Sequence, residues 1–98
     1  MKLVSIVRAK DKVHKFIATF ELEEGATKKI RFGAVGYDDY TTFPADKRDE
    51  RRELYLGRHK AREEWNEPDN AGSLARWLLW EKTSMSEAIK AFKKRFGV

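Results

Sequence analysis

The chain has 98 residues, with 21 Lys and Arg against 16 Asp and Glu, a formal net charge of +5 and no Cys. That length fits one domain, which we take as residues 1–98. The missing Cys excludes a disulfide scaffold, a thiolate metal site and a Cys nucleophile. No apolar run approaches the roughly 20 residues of a membrane span and the N-terminus lacks a signal-peptide pattern, so we expect a soluble, intracellular protein with no membrane association.

The N-terminal third reads as strands. Leu3, Ser5 and Val7 alternate with Val4, Ile6 and Arg8; Phe16, Ala18 and Phe20 with Ile17, Thr19 and Glu21; Ile30 and Phe32 with Lys29 and Arg31. A period of two in β-branched and aromatic residues favours strand over helix. The intervening turns at 9–12 and 23–26 are too short for parallel crossovers, so the strands form an antiparallel meander. Residues 33–44 are irregular, with Gly33, Gly36 and Pro44 as breakers. Gly33-Ala34-Val35-Gly36 has the GxxG spacing of the KH loop, but it follows a strand instead of joining two helices. It reads as a turn that uses the conformational freedom of glycine.

The second half reads as helical. A charged helix is expected over residues 45–65, ending in Trp65. Residues 66–70 form a stop, a short apolar helix spans 71–81, and Ser84-Met85-Ser86-Glu87 has the capping-box spacing for a last helix over 85–96. Strands first and helices second predict an α+β domain: a three-stranded antiparallel β-meander followed by three helices packed on one face.

Charge resolves by segment. Residues 1–36 carry net +4, 37–46 net −3, 47–64 net +2, 65–86 net −1 and 87–98 net +3. On the long helix, Arg51, Tyr55, Arg58 and Arg62 fall on one stripe, edged by Arg48, Arg52 and His59. Guanidinium groups pair bidentately with phosphates, and an aromatic among them can stack on an unpaired base. Lys93 and Lys94 add charge on the last helix, where Ile89, Phe92 and Phe96 form the apolar face. The plain alternative is a solvated helix whose bases pair with Asp49, Glu50, Glu53, Glu63 and Glu64. Asp38, Asp39, Tyr40 and Thr41 suit turn and cap roles, with the acids able to face the basic helix.

The apolar helix carries Leu74, Trp77, Leu78, Leu79 and Trp80 around a lone Arg76. It is either a core helix or, through Trp77, Leu78 and Trp80, the interface of a homodimer or of a protein partner. Chemistry is weakly signalled. His59 with Glu63, Asp38 and Asp39 could belong to a metal-dependent nuclease, yet two His and no Cys are too few for a structural zinc site. No nucleophile elbow, P-loop or dinucleotide fingerprint occurs, so no enzyme, metal or cofactor is expected.

The series Phe32-Gly33-Ala34-x-Gly36-x-x-Asp39-Tyr40-Thr41, then Arg51-Arg52-x-x-Tyr55-Leu56-x-Arg58-His59-x-x-Arg62-Glu63-x-Trp65, continues with Pro68, Ala71-Gly72-x-Leu74, Arg76-Trp77, Leu79-Trp80 and Lys82. Together these resemble a family of small basic proteins of nucleocytoplasmic large DNA viruses, including marseilleviruses and pandoraviruses. The resemblance implies a viral protein made in an infected eukaryotic cell, in cytoplasm or nucleus and able to enter the virion, with DNA association proposed and no catalytic role to carry over. The chain departs from the family pattern at Thr42 to Asp46, where Phe43-Pro44 intervenes and the family often has a His. That weakens any metal or acid–base chemistry in the loop. The leading expectation is therefore a non-enzymatic, low-specificity DNA-binding protein acting as a dimer. An interaction module using the Trp-rich helix comes second and a metal-dependent nuclease third.

Overall fold

The computed structural model describes all residues from Met1 to Val98. The alternating runs form β1 (Lys2–Arg8), β2 (His14–Glu21) and β3 (Thr27–Ala34), paired antiparallel in the order β1-β2-β3. Cross-strand partners Leu3 with Phe20, Ala18 with Ile6 on one side and Ile30 on the other, and Phe16 with Phe32 line the inner face. Ser5, Thr19 and Lys29 are opposed on the other face.

Strict alternation fails in β1. The register shifts between Leu3 and Ser5, a bulge that puts Leu3 and Ile6 on one face although they are three apart. Leu3 is buried and Val4 is left exposed, so the face expected to hold Leu3, Ser5 and Val7 is interrupted. The β1–β2 turn is tied by Asp11, whose carboxylate accepts from the backbone N–H groups of Val13 (2.8 Å) and His14 (2.6 Å). Those bonds favour the ionised form and hold the Asp11 pKa down at about 2. At the end of β3, Gly33 has φ +78°, and a Cβ there would lie 3.0 Å from the Leu79 side chain. The expected glycine turn is shorter than its four residues: Gly33 and Ala34 still belong to β3, and the turn is Val35-Gly36, with Gly36 also at positive φ.

The charged helix is shorter than expected: α1 spans Arg48–His59, not 45–65. Tertiary bonds take the following backbone out of the helix. The carbonyl of Glu64 accepts from Ser73 Oγ (2.8 Å) and Asn70 Nδ2 (3.1 Å), and that of Trp65 from Trp77 Nε1 (3.0 Å). The expected apolar helix is two structures in one: α2 (Ala71–Leu74), capped by Asn70, running into a π-helical turn over Ala75–Leu79. The last helix, α3 (Met85–Phe96), begins on Ser84 as its spacing predicts. Leu74, Leu78, Leu79, Ala88 and Phe92 pack with Phe20 and Phe32 into one core, giving the α+β architecture. No helix is long and apolar enough to cross a membrane.

Candidate nucleic-acid interface

Helix α1 is polar enough that only Tyr55 is buried along it. The Tyr55 ring stacks on Trp80 with centroids 4.5 Å apart and planes 7° apart, and on His59 at 4.4 Å. Burial pushes the Tyr55 phenol above its ordinary pKa. Arg52, on the same side, donates from Nε to the carbonyl of Trp80 (2.9 Å) and from a terminal nitrogen to Glu81 (2.7 Å). Its guanidinium also lies 5.3 Å from the Tyr40 ring centroid. Tyr40 donates its hydroxyl to Asp49 at 2.6 Å, a bond that raises the phenol pKa. The inner side of α1 is thus an arginine–tyrosine surface laid on the aromatic rings of Tyr40 and Trp80.

The predicted stripe is split by this arrangement. Tyr55 is 7% exposed with its ring already stacked, which corrects its assignment as a platform for a nucleic-acid base. Arg52 is likewise held internally by Trp80 and Glu81, which corrects its assignment to phosphate. Arg62 lies beyond the end of α1, in the turn that follows. Arg51, Arg58 and Arg62 are exposed and form no ion pair. Arg51 rests over Phe43 at 5.7 Å, and half-buried Arg48 over Tyr40 at 5.9 Å. Lys93 and Lys94 are exposed on α3.

The acids of the loop do not neutralise this edge. Asp39, only 3% exposed, turns to the sheet instead: its carboxylate takes Lys15 Nζ at 2.7 Å and the backbone N–H of Thr41 at 2.8 Å. Its role is the structural one expected, with Lys15 as the unforeseen partner. Asp38 remains exposed.

The apolar segment is mostly core. Leu78 is fully buried and Trp80 is 9% exposed within the single chain, so neither offers the interface surface expected of it. Leu78 packs into the core with residues of the sheet and α3, and Trp80 is covered by the rings of Tyr55 and Phe43. Trp77 alone of the three stays half-exposed.

Sequence reasoning missed Arg76. It is 8% exposed, with its guanidinium 4.1 Å from the Trp77 centroid and 5.5 Å from that of Trp65. Glu81 accepts from Arg76 at 3.0 Å on the same oxygen that serves Arg52, while Arg76 Nε has no partner. The turn ends at Leu79 and the chain leaves helical geometry at Trp80, and Glu81 beyond it reaches back to Arg76. An Arg inside an apolar run, followed five residues later by a Glu, was the available signal.

The carboxylates proposed for metal chemistry are dispersed among other duties. Glu63 hydrogen-bonds His59 Nδ1 (2.6 Å) and accepts from Trp65 Nε1 (3.0 Å), whereas Asp39 faces Lys15. No three His, Asp or Glu side chains converge in a geometry that could hold a metal ion.

A small α+β protein with a basic helix edge is the class these features define. Residues 4–59, more than half the chain, match a family model described as a family of unknown function (DUF5754), and the chain belongs to that family. The match takes in the sheet, the Asp39 loop and α1, ending with His59. No curated protein and no solved structure matches the chain.

Proposed function

We propose that the protein is a non-enzymatic, low-specificity nucleic-acid-binding protein that contacts DNA through backbone phosphates. The carrying observation is the division among its arginines. Arg52 and Arg76 share Glu81, whereas Arg51, Arg58 and Arg62 stand exposed without an acidic partner. Free guanidinium groups on a helix edge and its following turn suit phosphate oxygens, and Lys93 and Lys94 add long-range attraction. The resemblance to proteins of large DNA viruses supports a viral protein acting in the infected cell or virion, with DNA as partner.

Titration of duplex and single-stranded DNA at two salt concentrations tests this. An Arg58→Ala, Arg62→Ala variant should lower the salt slope of duplex binding by about two units. Absence of binding by the intact protein at low salt ends the proposal. A homodimer is part of the reading, because a second copy doubles the arginine edges available to one duplex. Sedimentation at high micromolar concentration should then give a dimer, and a monomer removes that element. The protein-interaction reading has less support, since Leu78 and Trp80 are enclosed by the chain itself. The nuclease reading lacks the carboxylate cluster it needs.

A further inference from the structure

A groove of about 490 Å³ runs between the π-helical turn and α3, and its walls carry Trp77, Glu81, Lys82, Lys94 and Arg95. The indole in it is held on two sides. Trp77 Nε1 donates to the carbonyl of Trp65 at 3.0 Å, and Arg76 lies 4.1 Å from the ring centroid, itself fixed by Glu81. Arg95 also lies over the ring, with its guanidinium 3.6 Å from the centroid. Arg95 is exposed and has no ion pair, so it can move.

We propose that this groove binds single-stranded nucleic acid, with one base stacked on Trp77 in place of Arg95 and the flanking phosphates held by Lys82, Lys94 and the displaced Arg95. The inference rests on the nucleic-acid reading above and names the strand form this second surface takes. Duplex bases are already stacked inside the helix and cannot present a face to a recessed indole; an unpaired base can. A base stacked on a ring contributes more than an exposed cation–π contact, so exchanging Arg95 for a base is favourable. Arg95 keeps its charge when displaced, and then has a phosphate beside it. Glu81 does not oppose the polyanion, because its carboxylate is shared by Arg52 and Arg76. Lys82, Lys94 and Arg95 therefore leave the groove positive. The pre-set indole also reduces the ordering cost of binding.

The test follows tryptophan fluorescence during titration with oligothymidylate and, separately, with a hairpin duplex of equal length. Oligothymidylate should quench the intact protein, and the quench should vanish in Trp77→Phe while Trp65→Phe retains it. In anisotropy with labelled oligothymidylate, Trp77→Leu should bind about tenfold more weakly. A Lys82→Ala, Lys94→Ala variant, altered only at exposed positions, should weaken binding and lower the single-strand salt slope by about 1.4 units. A quench that persists in Trp77→Phe, or unchanged affinity in the double-lysine variant, overturns the groove assignment. The Arg58→Ala, Arg62→Ala variant should keep the Trp77 quench while losing duplex affinity. Duplex binding without any oligothymidylate quench defeats the groove and leaves the α1 reading standing; no binding of either nucleic acid defeats both.

Discussion

Helices α1 and α3 are both twelve residues long and are held in opposite ways. In α3 the instructions are local. Ser84 Oγ accepts from the N–H of Glu87 at 3.3 Å, Ala88 and Phe92 are buried, and Gly97 closes the helix at φ 65°. In α1 there is no side-chain cap, and one buried residue, Tyr55, faces the core. Its anchors, Trp80 and Glu81, lie 28 and 29 residues from Arg52 in the chain. The difference separates two uses of arginine. On the inner side of α1 a guanidinium secures the helix to the fold, and on its edge guanidinium groups are left to solvent.

The largest test of that contrast removes the shared anion. Glu81→Ala leaves two guanidinium groups without their acid and should cost about 3 kcal/mol in chemical denaturation, with α1 loosened more than α3 in amide exchange. A loss under about 1 kcal/mol would mean that α1 is not held this way. Gly33→Ala should cost roughly 2 kcal/mol, because a left-handed backbone and the approach of Leu79 and Lys15 are both violated. That loss should appear in the sheet and core and leave the free arginines unaffected. Ser84→Ala should cost about 1 kcal/mol and raise amide exchange in α3 without changing exchange in α1.

The smallest effect is at the β1–β2 turn. The folded-state pKa of Asp11 is lowered to about 2 by backbone N–H groups. Its contribution is present above the unfolded carboxylate range and is lost as pH falls through the folded value. The stability difference between the intact protein and Asp11→Asn should therefore be constant at neutral pH, shrink below about pH 4 and approach zero near pH 2. A difference that stays constant down to pH 2 contradicts the turn bonds.

Legibility followed the same division. The strands, the Val35-Gly36 turn and α3 are readable because their determinants are neighbours in sequence: alternation, positive-φ glycines and a capping serine. The Leu3–Ser5 bulge was not, since an extra residue in a strand leaves no mark in composition. Charge density does not mark where α1 stops: the chain turns after His59, and Asn70, Ser73 and Trp77 then hold the backbone of Glu64 and Trp65 outside any helix. The arginine stripe was found by helical spacing, but spacing says nothing of which side turns inward. Tyr55 and Arg52 turn in, Arg51 and Arg58 stay out, and Arg76, an interruption in the apolar pattern, is a buried partner of Glu81.

The division of arginines is tested most directly by the salt dependence of duplex DNA binding, measured for the intact protein beside an Arg51→Ala, Arg58→Ala, Arg62→Ala variant. Three lost phosphate contacts should reduce the slope of log K against log salt by about 2.7 units, with the fold and its denaturation midpoint preserved. An unchanged slope, or an intact protein that binds no DNA at low salt, would contradict a helix edge left free for phosphates.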